Sequence, residues 1–330
     1  MRRRHPPTRT PALALALLAL AACSGAQSAL APAGPEARAV AGLFWLMAAA
    51  GALIWLAVVL AYLHARRRDR RAWSPEAAGR LVLWAGAVFP ATVLLGLLAY
   101  ALWLMPALRP WTAPETPGLV VEVTGRQYWW EITYHPEGAS PVPSANALRL
   151  PAGVPVELRL ASPDVIHSFW VPALAGKMDM IPGRTNRLLV EADAPGRWTG
   201  ACAEYCGTAH ALMRLEVAAE PPEAFAAWLA AEAAPSPGAA APGAEAFLAE
   251  GCGACHTVRG TAATGRVGPD LSHLGARPRI AAGTLPRSPE TLARFIADPA
   301  AMKPRARMPG YAMLDPARLA LIAGWLEGLR

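Results

Sequence analysis

Lysine is almost missing from this chain. Only Lys177 and Lys303 stand among 31 basic residues, the rest being arginine. The skew reflects genomic composition and says nothing of function. A basic domain is missing too. Of the formal net charge of +7, Arg2, Arg3, Arg4 and Arg9 supply +4 and the run 66–71 supplies +4, leaving −1 for everything else. Nucleic-acid binding needs clustered positive charge, so that class is excluded. Cysteine is scarce, with Cys23, Cys202, Cys206, Cys252 and Cys255 the full set. Read as an exported chain, this would give one or two disulfides and a spare thiol. That reading is weak, because histidine or methionine follows both close pairs at ligand spacing. Seven histidines are too few for a His-rich catalytic metal domain, and no catalytic acid, base or nucleophile stands out.

Apolar residues are abundant, at 54% of the chain, with a mean hydropathy of +0.26. Membrane segments are therefore expected. Residues 1–22 read as a signal peptide, with an Arg-rich start and the apolar run Ala12 to Ala22. Leu20-Ala21-Ala22-Cys23 has the form of a bacterial lipobox, which makes Cys23 a candidate lipidation site. Residues 23–110 then hold two uncharged stretches, about 39–63 and 81–108, each long enough to cross a bilayer. The arginine cluster at 66–71 between them predicts a cytoplasmic loop and outer ends on the far side. Trp103 and Trp111 suit the outer interface, and Pro90 predicts a kink in the second helix.

Beyond the hairpin, residues 111–232 change to short β-rich runs broken by Pro and Gly. Val121–Thr124, Val156–Leu160 and Arg187–Glu191 alternate or are rich in branched residues, with turn signals every 8–12 residues. That pattern predicts a β-sandwich or Greek-key barrel. The Pro/Ala tract 233–243 reads as a semi-rigid linker. Residues 244–330 read as a small helical domain. Ser288-Pro289 and Asp315-Pro316 are N-cap plus N1-proline starts, and Leu319, Ile322, Ala323 and Leu326 share one helical face.

Two motifs carry the chemistry. Cys202 to Met213 places two thiols, an imidazole and a thioether in twelve residues, with Cys206 and His210 between. Soft sulfur with imidazole selects copper, and closely spaced thiolates are able to bridge two ions. His167, at the end of a strand, would be a core residue if alone; beside this cluster it becomes a ligand candidate. Cys252-Gly253-Ala254-Cys255-His256 is a c-type haem attachment sequence. Cys252 and Cys255 would bond the haem vinyls and His256 would ligate iron. For the distal ligand Met302, Met308 and Met313 are candidates, with His273 a bis-His alternative too close to the Gly-Pro loop. A copper centre and a haem on one chain read as an electron relay.

The segment 38–220 resembles the copper A domain of cytochrome c oxidase subunit II, a cupredoxin-like fold. The resemblance rests on Gln127-Tyr128-Trp129-Trp130-Glu131, Asp164–Phe169, Pro182-Gly183-Arg184 and Cys202–Met213. It implies that Cys202 and Cys206 bridge both coppers. His167 and Met213 would complete one copper, and His210 with the Glu204 carbonyl the other. The Glu204 carboxylate would face a magnesium shared with oxidase subunit I. Tyr128, Trp129 and Trp130 would form the electron-receiving patch. Gly268-Pro269-Asp270-Leu271 and Arg307-Met308-Pro309-Gly310-Tyr311 resemble class I cytochrome c, which singles out Met308.

Two departures stand out. The family's usual Trp is Tyr128 here, which weakens the case for docking a soluble donor. The family's Glu at the start of the second membrane helix is missing from Arg80–Trp84, with Glu76 nearest. Taken together, the resemblance implies an oxidase subunit II in the bacterial inner membrane, with both metal domains on the periplasmic side. Its partners would be subunits I and III and an upstream donor such as a quinol-oxidising complex or a small cytochrome or copper protein. The alternative is a stand-alone membrane electron carrier.

Overall fold

A computed structural model describes residues 25–67, 73–108, 118–238 and 240–330. The signal peptide at 1–22, Cys23, Arg68, Arg70, Arg71 and Trp111 lie outside them.

Two helices long and apolar enough to cross a membrane form one unit, α1 (Pro35–Arg67) and α2 (Pro75–Leu104). Helix α1 runs past its apolar stretch at both ends, and α2 starts six residues ahead of its own and ends at Leu104. Hydropathy marks the length lipid covers, whereas helical hydrogen bonding continues into polar flanks. Helix α2 begins where Ser74 accepts from the Ala77 amide at 3.3 Å, followed by proline at the first turn, a favourable cap and N1 pair. The expected disturbance at Pro90 takes the form of a π-turn over Trp84–Val88, closed by the Phe89 amide donating to the Trp84 carbonyl. Proline has no N–H and crowds the carbonyl four residues back, so the widened turn absorbs both faults.

The second unit begins with a β-sandwich of two five-stranded sheets. One has the order β3-β2-β1-β5-β8 and the other β4-β10-β9-β6-β7. The strands of the first are β1 (Leu119–Arg126), β2 (Trp129–His135), β3 (Val142–Ala145), β5 (Val156–Ala161) and β8 (Asn186–Val190). Those of the second are β4 (Ala147–Pro151), β6 (His167–Trp170), β7 (Met178–Met180), β9 (Gly196–Cys202) and β10 (Arg214–Glu220). Alternation decides the register: Trp130, Ile132 and Tyr134 on β2 face inward and are fully buried. Each such side chain contributes about 1.5–3 kcal/mol through burial. Residues ahead of α1 run along this sandwich, with the Ala33 amide on the Ala173 carbonyl at 2.7 Å and the Thr199 amide on the Ala26 carbonyl at 2.9 Å.

Helix α3 (Pro222–Ala233) closes the sandwich, with Phe225 and Trp228 against Tyr134. The stretch read as a semi-rigid linker bonds its neighbours at Ser236. The Ser236 amide donates to the Arg259 carbonyl at 2.9 Å, and its hydroxyl bonds the Ser272 carbonyl. Helix α4 (Pro242–Ala249) starts inside that stretch. With α5 (Pro289–Ala297), the short α6 (Pro299–Met302) and α7 (Pro316–Gly328) it forms the C-terminal helical domain. Leu319, Ile322, Ala323 and Leu326 are all buried there, and Phe247 and Trp325 rings pack at 5.2 Å. A small hairpin, β11 (Arg279–Ile280) with β12 (Leu285–Pro286), interrupts the helices.

Candidate functional site

The soft-ligand cluster assembles from three places on the second sheet. His167 opens β6, Cys202 ends β9, and the loop from Cys206 to Met213 leads into β10. Pairing of β6 with β9 sets Phe169 opposite Cys202 and brings His167 alongside. The Cys202 and Cys206 sulfurs lie 3.8 Å apart. His167 Nδ1 is 3.8 Å from the Cys202 sulfur, and His210 Nδ1 is 3.7 Å from the Cys206 sulfur. Met213 Sδ is 3.9 Å from Cys206 Sγ, and the Glu204 carbonyl is 3.2 Å from Cys202 Sγ. All six groups read from the sequence therefore meet around two sulfurs, with Cys202, Cys206, His167 and Met213 buried.

The electrostatics suit metal. Contact with Cys206 draws the Cys202 thiol well below its ordinary range despite burial, with His167 helping. The thiolate so formed pushes Cys206 strongly up. Bound cations would remove that opposition, because a metal stabilises both thiolates. The donor set of two sulfurs, a thioether, two imidazoles and a carbonyl fits a dinuclear copper centre.

Sequence reasoning missed the residues that aim these ligands. Asp164 Oδ1 sits 2.8 Å from His167 Nε2, which leaves Nδ1 facing the sulfurs. Such a second-layer carboxylate fixes both tautomer and ring orientation. Asp164 also accepts from the Gln127 amide at 2.8 Å and the Val165 amide at 2.7 Å. Burial raises its pKa, but those bonds outweigh it and hold the carboxyl below its ordinary value. Gly125 makes room for the imidazole, since a Cβ there would lie 2.9 Å from His167 Cγ. The signal for both was present in the sequence, as Asp three residues before His and Gly two before Gln127. Each became meaningful only once the strands were paired.

Glu204 turns its carboxylate outward, where it is 44% exposed and 3.9 Å from the Lys177 ammonium. The aromatic patch divides. Tyr128 is buried and Trp129 half-buried beneath the Arg126 guanidinium. Trp130 corrects the surface reading: it is fully buried, edge-on to Phe169, with its indole N–H on the Arg214 carbonyl at 3.1 Å. Even alternation along β2 sends it inward while Trp129 points out.

In the helical domain Cys252, Cys255, His256 and Met308 line one cavity of about 460 Å³, within the range of cofactor sites. His256 Nδ1 bonds the Pro269 carbonyl at 2.8 Å, which frees Nε2 to face a metal. Gly268 permits that approach, since a Cβ would lie 2.5 Å from His256 Cε1. Burial lowers the His256 pKa and favours the neutral, ligating imidazole, although the Pro269 bond opposes it. These residues fit a covalently attached haem. Met313 is exposed and Met302 half-buried, and neither lines the cavity. His273 turns away and bonds the Ala234 carbonyl at 3.2 Å. The far wall of the same cavity is Gln127, Tyr128 and Trp129 of the sandwich.

Comparison with known proteins follows the same division. Residues 139–220 match the family described as cytochrome c oxidase subunit II, periplasmic domain, and residues 240–330 match cytochrome c. Cytochrome c oxidase subunit 2 of Alkalihalophilus pseudofirmus is 36% identical over 214 residues, covering 64% of this chain and 61% of that protein. The chain thus spans less than two thirds of that relative. The corresponding protein of Synechocystis is 41% identical over 119 residues, covering 36% of this chain and 34% of its own. Among solved structures, the periplasmic domain of subunit II of cytochrome oxidase of Bradyrhizobium japonicum is 28% identical. It covers 36% of this chain and 94% of its own, with a TM-score of 0.33.

Proposed function

We propose, from a chain that joins a cytochrome c oxidase subunit II periplasmic domain to a cytochrome c domain, that this protein is the electron-transfer subunit of a haem–copper oxygen reductase. Its haem domain would receive electrons from an external donor and hand them to the copper domain, which supplies the haem in subunit I. The bound haem and dinuclear copper would contribute one-electron exchange with little change of geometry. The protein's part is to hold their ligands rigidly and keep water away. Cys252 and Cys255 would anchor the haem, and His256 and Met308 would hold its iron. Cys202, Cys206, His167, Met213, His210 and the Glu204 carbonyl would hold the two coppers. The exposed Glu204 carboxylate is the group available to a magnesium shared with subunit I, and subunit III completes the assembly.

One observation supports this reading above the others: the haem cavity and the copper ligands share a wall. Tyr128 lines the cavity. Its hydroxyl lies so near Gly207 that a Cβ there would come within 2.6 Å of it. Gly207 directly follows Cys206 and holds a φ of +124°, and Gln127 Nε2 donates to the Cys206 carbonyl at 2.7 Å. A side chain at 207 would therefore be strained and would collide with the wall.

The full chain purified in detergent and loaded with copper should show a mixed-valence spin signal spread over two equivalent coppers, beside a c-type haem spectrum. Cys202→Ser should abolish the copper signal and spare the haem. A single-copper blue spectrum would overturn the assignment.

A further inference from the structure

The hairpin β11–β12 belongs to the haem domain, yet its tip lies inside the copper domain. Ala282 is 1% exposed and forms part of the sandwich's hydrophobic core. The turn is built for insertion: Ala281, Ala282 and Gly283 all hold positive φ, at 53°, 57° and 70°. Arg279 closes it from behind, with Nε on the Gly283 carbonyl at 2.8 Å and Nη2 on the Thr284 carbonyl at 2.9 Å. Two left-handed alanines in succession are unfavourable by themselves. The surrounding contacts must hold them there.

The tip bonds the chain on both sides of one copper-ligand candidate. The Arg214 amide donates to the Ala282 carbonyl at 3.0 Å, and the Thr284 hydroxyl donates to the Leu212 carbonyl at 2.7 Å. Between them lies Met213. The vacancy the hairpin fills comes from strand lengths. β4 begins opposite Glu216, so β10 overruns it by two residues and the Arg214 amide has no partner strand there. Lys303, at the end of α6, secures the base of the tip. Its ammonium is buried and donates to the Tyr128 carbonyl at 2.6 Å and the Ala281 carbonyl at 2.9 Å, one from each domain. Arg307 Nη2 reaches Gln127 Oε1 at 3.1 Å on the same face.

We propose that the hairpin Arg279–Pro286 is a clamp on the Met213 strand, which makes the docked haem domain a structural part of the copper centre. The idea rests on the copper reading for its consequence but not for its geometry. The haem domain then occupies the Tyr128 face permanently, and a soluble donor is refused there. Electrons from outside must reach the haem from another side of its domain.

Hydrogen exchange at the Arg214 amide reads the clamp directly, since its acceptor is Ala282. The full chain in detergent should protect this amide with or without copper. Thr284→Val removes one hydroxyl bond at nearly constant shape and should lower protection roughly two- to tenfold. Ala282→Asp carries an unpaired carboxyl into an apolar core and should lower it about a hundredfold or more. Protection of Leu158 in the opposite sheet serves as the folding control and should stay unchanged. In the copper-loaded chain, Ala282→Asp should keep two coppers and alter their hyperfine pattern. Free exchange at Arg214 in the unaltered chain overturns the proposal, as does Ala282→Asp with unchanged protection or an unchanged copper spectrum. Failure of the unaltered chain to bind copper would instead overturn the electron-relay reading, leaving the exchange result to stand.

Discussion

Ligand residues and the residues that aim them make different demands on chemistry. A thiolate or imidazole is chosen for its donor atom, whereas Asp164 is chosen for where it points His167. Its bond to Nε2 at 2.8 Å leaves the other nitrogen for metal. Asp164→Asn keeps size and loses charge, so the ring is held less firmly and is less basic. Copper affinity, measured by chelator competition on the full chain, should fall about 10–100-fold with two coppers still bound at saturation. An unchanged affinity would show that Asp164 serves only the Gln127 turn.

At the level of single elements, β5 points Val156, Leu158 and Leu160 into the core and carries a buried charge on its other face. Glu157 is buried, with Arg159 Nε at 3.0 Å and Arg187 bonding its other oxygen. Burial alone would raise its pKa, but the two arginines outweigh it and the carboxyl ends below its ordinary value. A depressed folded-state pKa gives stability that is present above the unfolded value and lost as pH falls through the folded one. Glu157→Gln should therefore destabilise the sandwich by about 1–2 kcal/mol at neutral pH. Denaturant unfolding should show the difference shrinking below roughly pH 4, where the parent carboxylate protonates. A constant gap across that range would assign the loss to packing.

For the whole molecule, charge and contact act differently. Residues 111–232 carry 8 basic and 14 acidic side chains, and residues 244–330 carry 11 and 7. Fields of opposite sign help the two domains find each other, more than they hold them. The hydrogen bonds between them include three to main-chain carbonyls, at Tyr128, Leu212 and Pro143. The arginine run 66–71 predicts the topology of the chain in its membrane. A thiol-labelling reporter at Trp73→Cys should react only from the cytoplasm, and one at the exposed Ser140→Cys only from outside. The reverse pattern would put the haem-attachment sequence in the wrong compartment.

By itself the sequence determined which donor atoms the chain offers and the kinds of element. Ligand type follows from donor atoms, so C-x-E-x-C-x3-H-x2-M and C-x-x-C-H were legible without any fold. Hydropathy announced both long helices, and alternation announced the sandwich strands. Only tertiary structure decided what those elements do to one another. His167 lies 35 residues before Cys202, and strand pairing alone makes them neighbours. Trp130 is core and Trp129 is wall because of which face of β2 meets the other sheet. The tract 233–243 reads as a tether by composition, yet its polar main chain finds partners on Arg259. Least legible was the hairpin 279–286, too short for any periodicity. Its role comes from an amide on β10 that β4 stops short of pairing, and no local pattern reports what a distant strand lacks.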